Sequence, residues 1–200
     1  MQRSPWNSYT VFFALLALIT LGTVTRLALR DLPNFAPVAA LALFAGYVLP
    51  CRRLAVLVPL GVMAASDCVI GGYDLRLMAV VYSSLAAPAW AGHWLQNRFG
   101  MSQKSASGWA AAGMTAGLVG SSLASSIFFF ITTNFGVWAL GSSYAHTWTG
   151  LVDCYLRAVP FFRYTLAGDL FFASVLFSAY AVVLLALRRP ASAIEVREAR

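Results

Sequence analysis

Apolar runs, long and continuous rather than alternating, divide this chain at about residues 9–29, 35–50, 54–70, 75–95, 108–131 and 166–187. Lipid offers no partner to a backbone N–H or C=O, so only helices and closed barrels cross it. Barrel strands alternate apolar and polar residues over about ten positions, and these runs do not. A spanning helix needs about 20 mostly apolar residues. The expected fold is therefore an all-α integral membrane protein with six transmembrane helices. Residues 1–200 form one membrane domain with a polar tail at 190–200. Composition agrees: 10% of the residues are charged, against about 25% in soluble domains. The runs are separated at Asp31-Leu32-Pro33-Asn34, Pro50-Cys51-Arg52-Arg53, Gly71-Gly72 and Arg98 to Lys104, where turn residues and charges gather.

The net charge is +7, but the basic residues stand singly between apolar runs, which excludes a nucleic-acid surface. Their distribution instead orients the chain, because cytoplasmic loops collect Lys and Arg. Arg3, Arg52, Arg53, Arg98, Lys104, Arg188, Arg189, Arg197 and Arg200 fall on one side. Arg26, Arg30, Arg76, Arg157 and Arg163 fall on the other. The larger set predicts that both termini of this multi-pass protein face the cytoplasm. The outer side then receives the end of the third helix, the turn around Pro33 and the connection 132–165. Within that connection, Trp148, Leu151, Val152, Tyr155, Leu156 and Val159 recur at helical spacing. A short extra outer helix before the last span is expected, with Asp153 and Arg157 paired four residues apart. Gly113, Gly117, Ser121 and Ser125 recur every four residues in the fifth run, a packing pattern.

Ser66-Asp67-Cys68 carries the clearest chemistry. It closes a segment whose residues Leu54 to Ala65 have no charge. An ionisable residue at membrane depth marks a functional site by default, and a thiolate favours soft or late transition metals. Adjacent helical residues point about 100° apart, so Asp67 and Cys68 do not both face one ligand. Tyr73 follows in the turn and offers a phenol to the same wall. The plainer readings are a buried apolar-type Cys68 and a disulfide with Cys154. Asp169, after Gly168, reads as a carboxylate capping the start of the sixth span. His93 and His146 stand alone, so no separate metal ion is expected. No Walker, GxSxG or HExxH motif is present, which leaves the chain without hydrolytic machinery of its own.

Four strings carry a resemblance: Pro33-Asn34-Phe35-Ala36-Pro37-Val38-Ala39-Ala40-Leu41, Ser66-Asp67, Thr133-Asn134-Phe135-Gly136-Val137-Trp138, and Pro160-Phe161-Phe162-Arg163 with Gly168-Asp169-Leu170-Phe171-Phe172. The chain resembles the six-helix substrate-binding S-components of energy-coupling-factor (ECF) transporters. The Cys after Ser-Asp is similar to that of the BtuM-type cobalamin transporters among their relatives. The resemblance implies a pocket open to the outer side, formed by the loops between helices one and two, three and four, and five and six. It also implies a bacterial cytoplasmic (inner) membrane and cobalamin as ligand, with the Cys68 thiolate bound to the corrin cobalt and loss of a cyano ligand on binding. Asp67, Tyr73, Arg157 and Arg163 would then line the pocket or meet the corrin amides and phosphate. Helix one departs from the family's small-residue docking pattern at Ala14/Leu18 and Ala17/Leu21, which favours action without the ATPase module. The alternatives are an S-component-like transporter of another vitamin or a nucleobase, with Cys68 incidental, a membrane thiol redox protein using Cys68 and Cys154, and a structural partner subunit.

Overall fold

The computed structural model describes residues 7–99 and 108–187, and these form helices with no strand among them. The helices are α1 (Ser8–Ala28), α2 (Val38–Val48), α3 (Arg52–Ile70), α4 (Leu75–Ala86), α5 (Pro88–Phe99), α6 (Gly108–Leu140) and α7 (Trp148–Leu187). The tail at 190–200 lies outside the described residues. Four helices, α1, α3, α6 and α7, are long and apolar enough to cross a membrane. Their outer faces are apolar too: Phe12, Phe13 and Leu16 on α1, and Val182, Val183 and Leu185 on α7, are all exposed. Apolar surface of that extent marks a membrane or protein interaction face, and its length and continuity suit lipid.

The 35–50 run yields only the 11 residues of α2. Pro33 and Pro37 deny N–H groups to a helix. Asn34 adopts a left-handed backbone (φ 59°), which its short polar side chain tolerates better than most. Residues 29–37 therefore stay irregular, and α2 begins well inside the bundle. It is buried on nearly every side, as a helix apolar all round must be. Between apolar helices in lipid, association rests on close packing rather than on hydrophobic force. Here Gly46 on α2 and Gly92 on α5 supply it. A Cβ on Gly46 would overlap the Ala89 carbonyl, and one on Gly92 the Leu43 carbonyl.

The expected 75–95 span is broken in two. Pro88 has no N–H to give to the preceding turn, so α4 stops at Ala86 and α5 runs on to Phe99. Asp74 caps α4 by accepting from the N–H groups of Arg76 and Leu77. Gly113 and Gly117 of α6 face Phe99 and Leu95 of α5, as the packing pattern predicted.

The largest departure lies between 132 and 165. The sequence reads there as a connection with its own short helix, but the break spans only 141–147. There is no separate outer helix, since its residues are the first turns of α7. The difference lies in polar residues within α6. Thr132, Thr133 and Asn134 each turn their side chains back to carbonyls four residues earlier, those of Phe128, Phe129 and Phe130. Polarity satisfied within the helix does not need to end it. At 33 and 40 residues, α6 and α7 extend about 50 and 60 Å, well beyond a hydrocarbon core about 30 Å thick.

Candidate functional site

At one end of the bundle α1, α3 and α6 finish and α2, α4 and α7 start. A cavity of about 480 Å³ opens there. From α6 it is lined by Phe129, Phe130, Thr133 and Asn134, and from α7 by Ala158, Phe161, Phe162, Thr165 and Asp169. These positions recur three or four apart, so each helix offers one stripe. The α1–α2 segment adds Pro33, Asn34, Phe35 and Ala36, and Arg26 and Arg30 come from α1 and its end. The ring of Phe130 lies 4.6 Å from that of Phe162, and that of Phe35 lies 5.4 Å from Phe172. The walls are thus aromatic, with polar groups at a few points. Asn134 spends one N–H on Phe130, leaving its amide oxygen for another donor.

Two buried carboxyls serve this end of the molecule. Asp67 is 6% exposed, and both its oxygens are taken. Arg26 Nη1 lies 2.6 Å from Oδ1, and Tyr82 Oη donates to Oδ2 at 2.7 Å. Arg26 also donates to the Ser66 hydroxyl, which itself donates to the Val62 carbonyl at 2.6 Å. The network joins α1, α3 and α4, and it fixes Arg26 where that residue lines the cavity. Asp169 is 4% exposed and lines the cavity itself. The Ser126 hydroxyl donates to its Oδ2 at 2.5 Å. Its Oδ1 has no hydrogen-bond partner among the described residues.

Several sequence expectations are redrawn by this geometry. Asp169 does not cap a helix, because it sits in the middle of α7, far from either end. Cys68 is exposed and does not line the cavity. It falls about 140° around α3 from Met63 and about 160° from Ile70, the two α3 residues that do. Asp67 stands behind the wall rather than in it. Tyr73 does line the cavity. Burial, with the charge of Asp67 adding to it, holds its phenol above the usual tyrosine value, so it keeps its hydroxyl hydrogen near neutral pH.

Arg157 pairs with Asp153 at 2.9 Å as expected, but both are away from the cavity. Arg163 is likewise outside it, donating to Tyr164 Oη at 2.9 Å. All three cysteines are free thiols. Cys154 is buried on α7 with its Sγ 3.5 Å from the Asn134 carbonyl, so the Cys68–Cys154 disulfide is not formed. The thiol whose surroundings lower its pKa is Cys51, chiefly through the backbone N–H groups of Arg53 and Leu54.

Arg26, Asn34, Thr133, Asn134, Thr165 and Asp169 were not singled out as site residues from the sequence. A signal existed for two of them: Arg26 is the one charge between Tyr9 and Leu29, and Asp169 lies inside an apolar run. Among the described residues no group of three His, Cys, Asp or Glu is placed to hold a metal ion.

Fold and site together define an all-helical protein of membrane character with a ligand-sized cavity at one end. The chain belongs to a family of unknown function (DUF6580), whose profile matches residues 7–192. No curated protein and no solved structure matches it.

Proposed function

We propose that this protein binds a small organic solute, of vitamin or nucleobase size, in the cavity and carries it across the cytoplasmic membrane. The supporting observation is the cavity itself. Its 480 Å³ lies in the range of about 300–1,000 Å³ that holds small-molecule ligands, and its aromatic walls and few polar groups are those of a recognition site. In this reading α2 and the α4–α5 pair complete six passes, as in the S-components the sequence resembles. Both termini then face the cytoplasm and the cavity faces outward. A solute taken up this way has to be released by a change of shape that exposes the site inward, with or without an ATPase module.

The experiment is to purify the protein in detergent, extract it with organic solvent and identify released small molecules by mass spectrometry. Proteoliposome uptake of whatever is found then follows. A stoichiometric solute that is transported supports the reading. A protein that releases nothing and takes up nothing sinks it.

A second reading keeps cobalamin as the solute. It draws support from Cys68, a free and exposed thiol in the last turn of α3, at the same end as the cavity. A corrinoid is far larger than the cavity encloses, so it would lie across the mouth and meet the thiol from outside. The visible spectrum decides between the two. A corrinoid band shifted by the wild-type protein and not by Cys68→Ser favours cobalamin, and free cyanide released from cyanocobalamin would mark loss of that ligand. An unshifted band leaves the smaller solute.

A further inference from the structure

Resting on the solute-binding reading, we infer that the solute is an organic cation, a protonated amine or charged nitrogen heterocycle, whose positive group pairs with Asp169 while its flat body packs among the phenylalanines. Asp169 is the deepest lining residue of α7 and is almost fully buried. A buried carboxyl is either paired with a cation or holds its proton, because an unpaired buried charge costs several kcal/mol. The ion pairs among the described residues use Asp67, Asp31, Asp74 and Asp153, and none reaches Asp169. One hydroxyl, that of Ser126, serves one of its oxygens. The other is left to whatever occupies the cavity.

The nearby cations do not supply the missing partner. Arg26 is committed to Asp67 and Ser66. Arg30 stands on the rim, with 63% of its side chain exposed, 4.0 Å from Asp31. Among the described residues no three-ligand set of His, Cys, Asp or Glu surrounds the carboxyl. The walls complete the case. Phe35, Phe129, Phe130 and Phe162 line the cavity, and ring faces attract cations within about 6 Å. One feature pulls the other way: α2 starts without a side-chain cap at Val38 and Ala39, which both line the cavity, and helix starts favour anions. The charge of the solute is therefore the property to measure.

Three probes share one ring and differ in the tail: tryptamine (cationic), indole-3-ethanol (neutral) and indole-3-acetate (anionic). Titrated calorimetrically into the detergent-purified protein, tryptamine is expected to bind about tenfold or more tighter than indole-3-ethanol, with indole-3-acetate weakest. Asp169→Asn should bring tryptamine down to the level of indole-3-ethanol, with an unchanged far-UV circular-dichroism melting curve showing that the variant is folded. Ser126→Ala, which keeps the carboxyl, should retain the preference. Equal binding of the first two, preference for the anion, or a preference that survives Asp169→Asn overturns the inference without touching the solute-binding reading. If none of the three binds, the charge of the co-purified solute decides: a cation supports the assignment, and a neutral or anionic solute overturns it. Absence of any solute strikes at the solute-binding reading instead.

Discussion

Two buried carboxyl groups serve the same end of this bundle, Asp67 on α3 and Asp169 on α7, and they are housed differently. Asp67 has a guanidinium on one oxygen and a phenol on the other, so it is closed, and it joins three helices. Asp169 has one hydroxyl on one oxygen and a cavity beside it. Burial alone does not separate them, as both are nearly inaccessible. What separates them is whether the protein itself completes the hydrogen-bonding set. A completed set holds structure together, and an incomplete one at a cavity wall is available to a ligand.

The largest effect should come from opening the closed site. Arg26→Met leaves Asp67 buried without its cation and should lower stability by about 3 kcal/mol, read as denaturant unfolding in detergent. Adding Asp67→Leu to that variant should recover most of the loss, since neither charge then remains unpaired. If the double variant is no better than the single one, the pair is not what holds α1 to α3. Next comes the open site. Asp169→Asn should leave unfolding within about 1 kcal/mol of wild type while the retained solute falls about tenfold. A variant that loses several kcal/mol of stability would mean Asp169 is as structural as Asp67.

Tyr82→Phe removes one hydrogen bond from the closed set and should cost about 1 kcal/mol, with solute retention unchanged. Last, Cys68→Ser should shift stability by less than about 0.5 kcal/mol, as an exposed substitution away from both carboxyls. A larger change would place the thiol in a contact that the fold does not give it.

The sequence made the helical plan legible. Runs such as Tyr9 to Leu29 and Leu54 to Ile70 became α1 and α3 almost to the residue, because continuous apolarity leaves the backbone no partner but itself. It was less able to tell polar residues that end a helix from polar residues satisfied within one. Thr133 and Asn134 read as a break yet lie inside α6, and Trp148 to Val159 read as a separate element yet begin α7. Ser66-Asp67-Cys68 was visible as a polar interruption, but not which of its members faces inward. Side chains 100° apart on a helix take their meaning from the neighbour each one meets, and that neighbour lies forty residues away at Arg26.

By itself the sequence determined an all-helical chain suited to lipid and the bounds of α1 and α3, since these follow from local apolarity, proline and charge. It also held the strings that later met at the cavity, Pro33 to Ala36, Thr133-Asn134 and Gly168-Asp169, without showing that they meet. Only the tertiary structure decided that α2 lies in the middle, that Cys68 turns outward, and that Asp67 is closed while Asp169 is open. Pairing is a property of two residues in space. A carboxyl's role is fixed by the donors that reach it, and no run of adjacent residues records which donors those are.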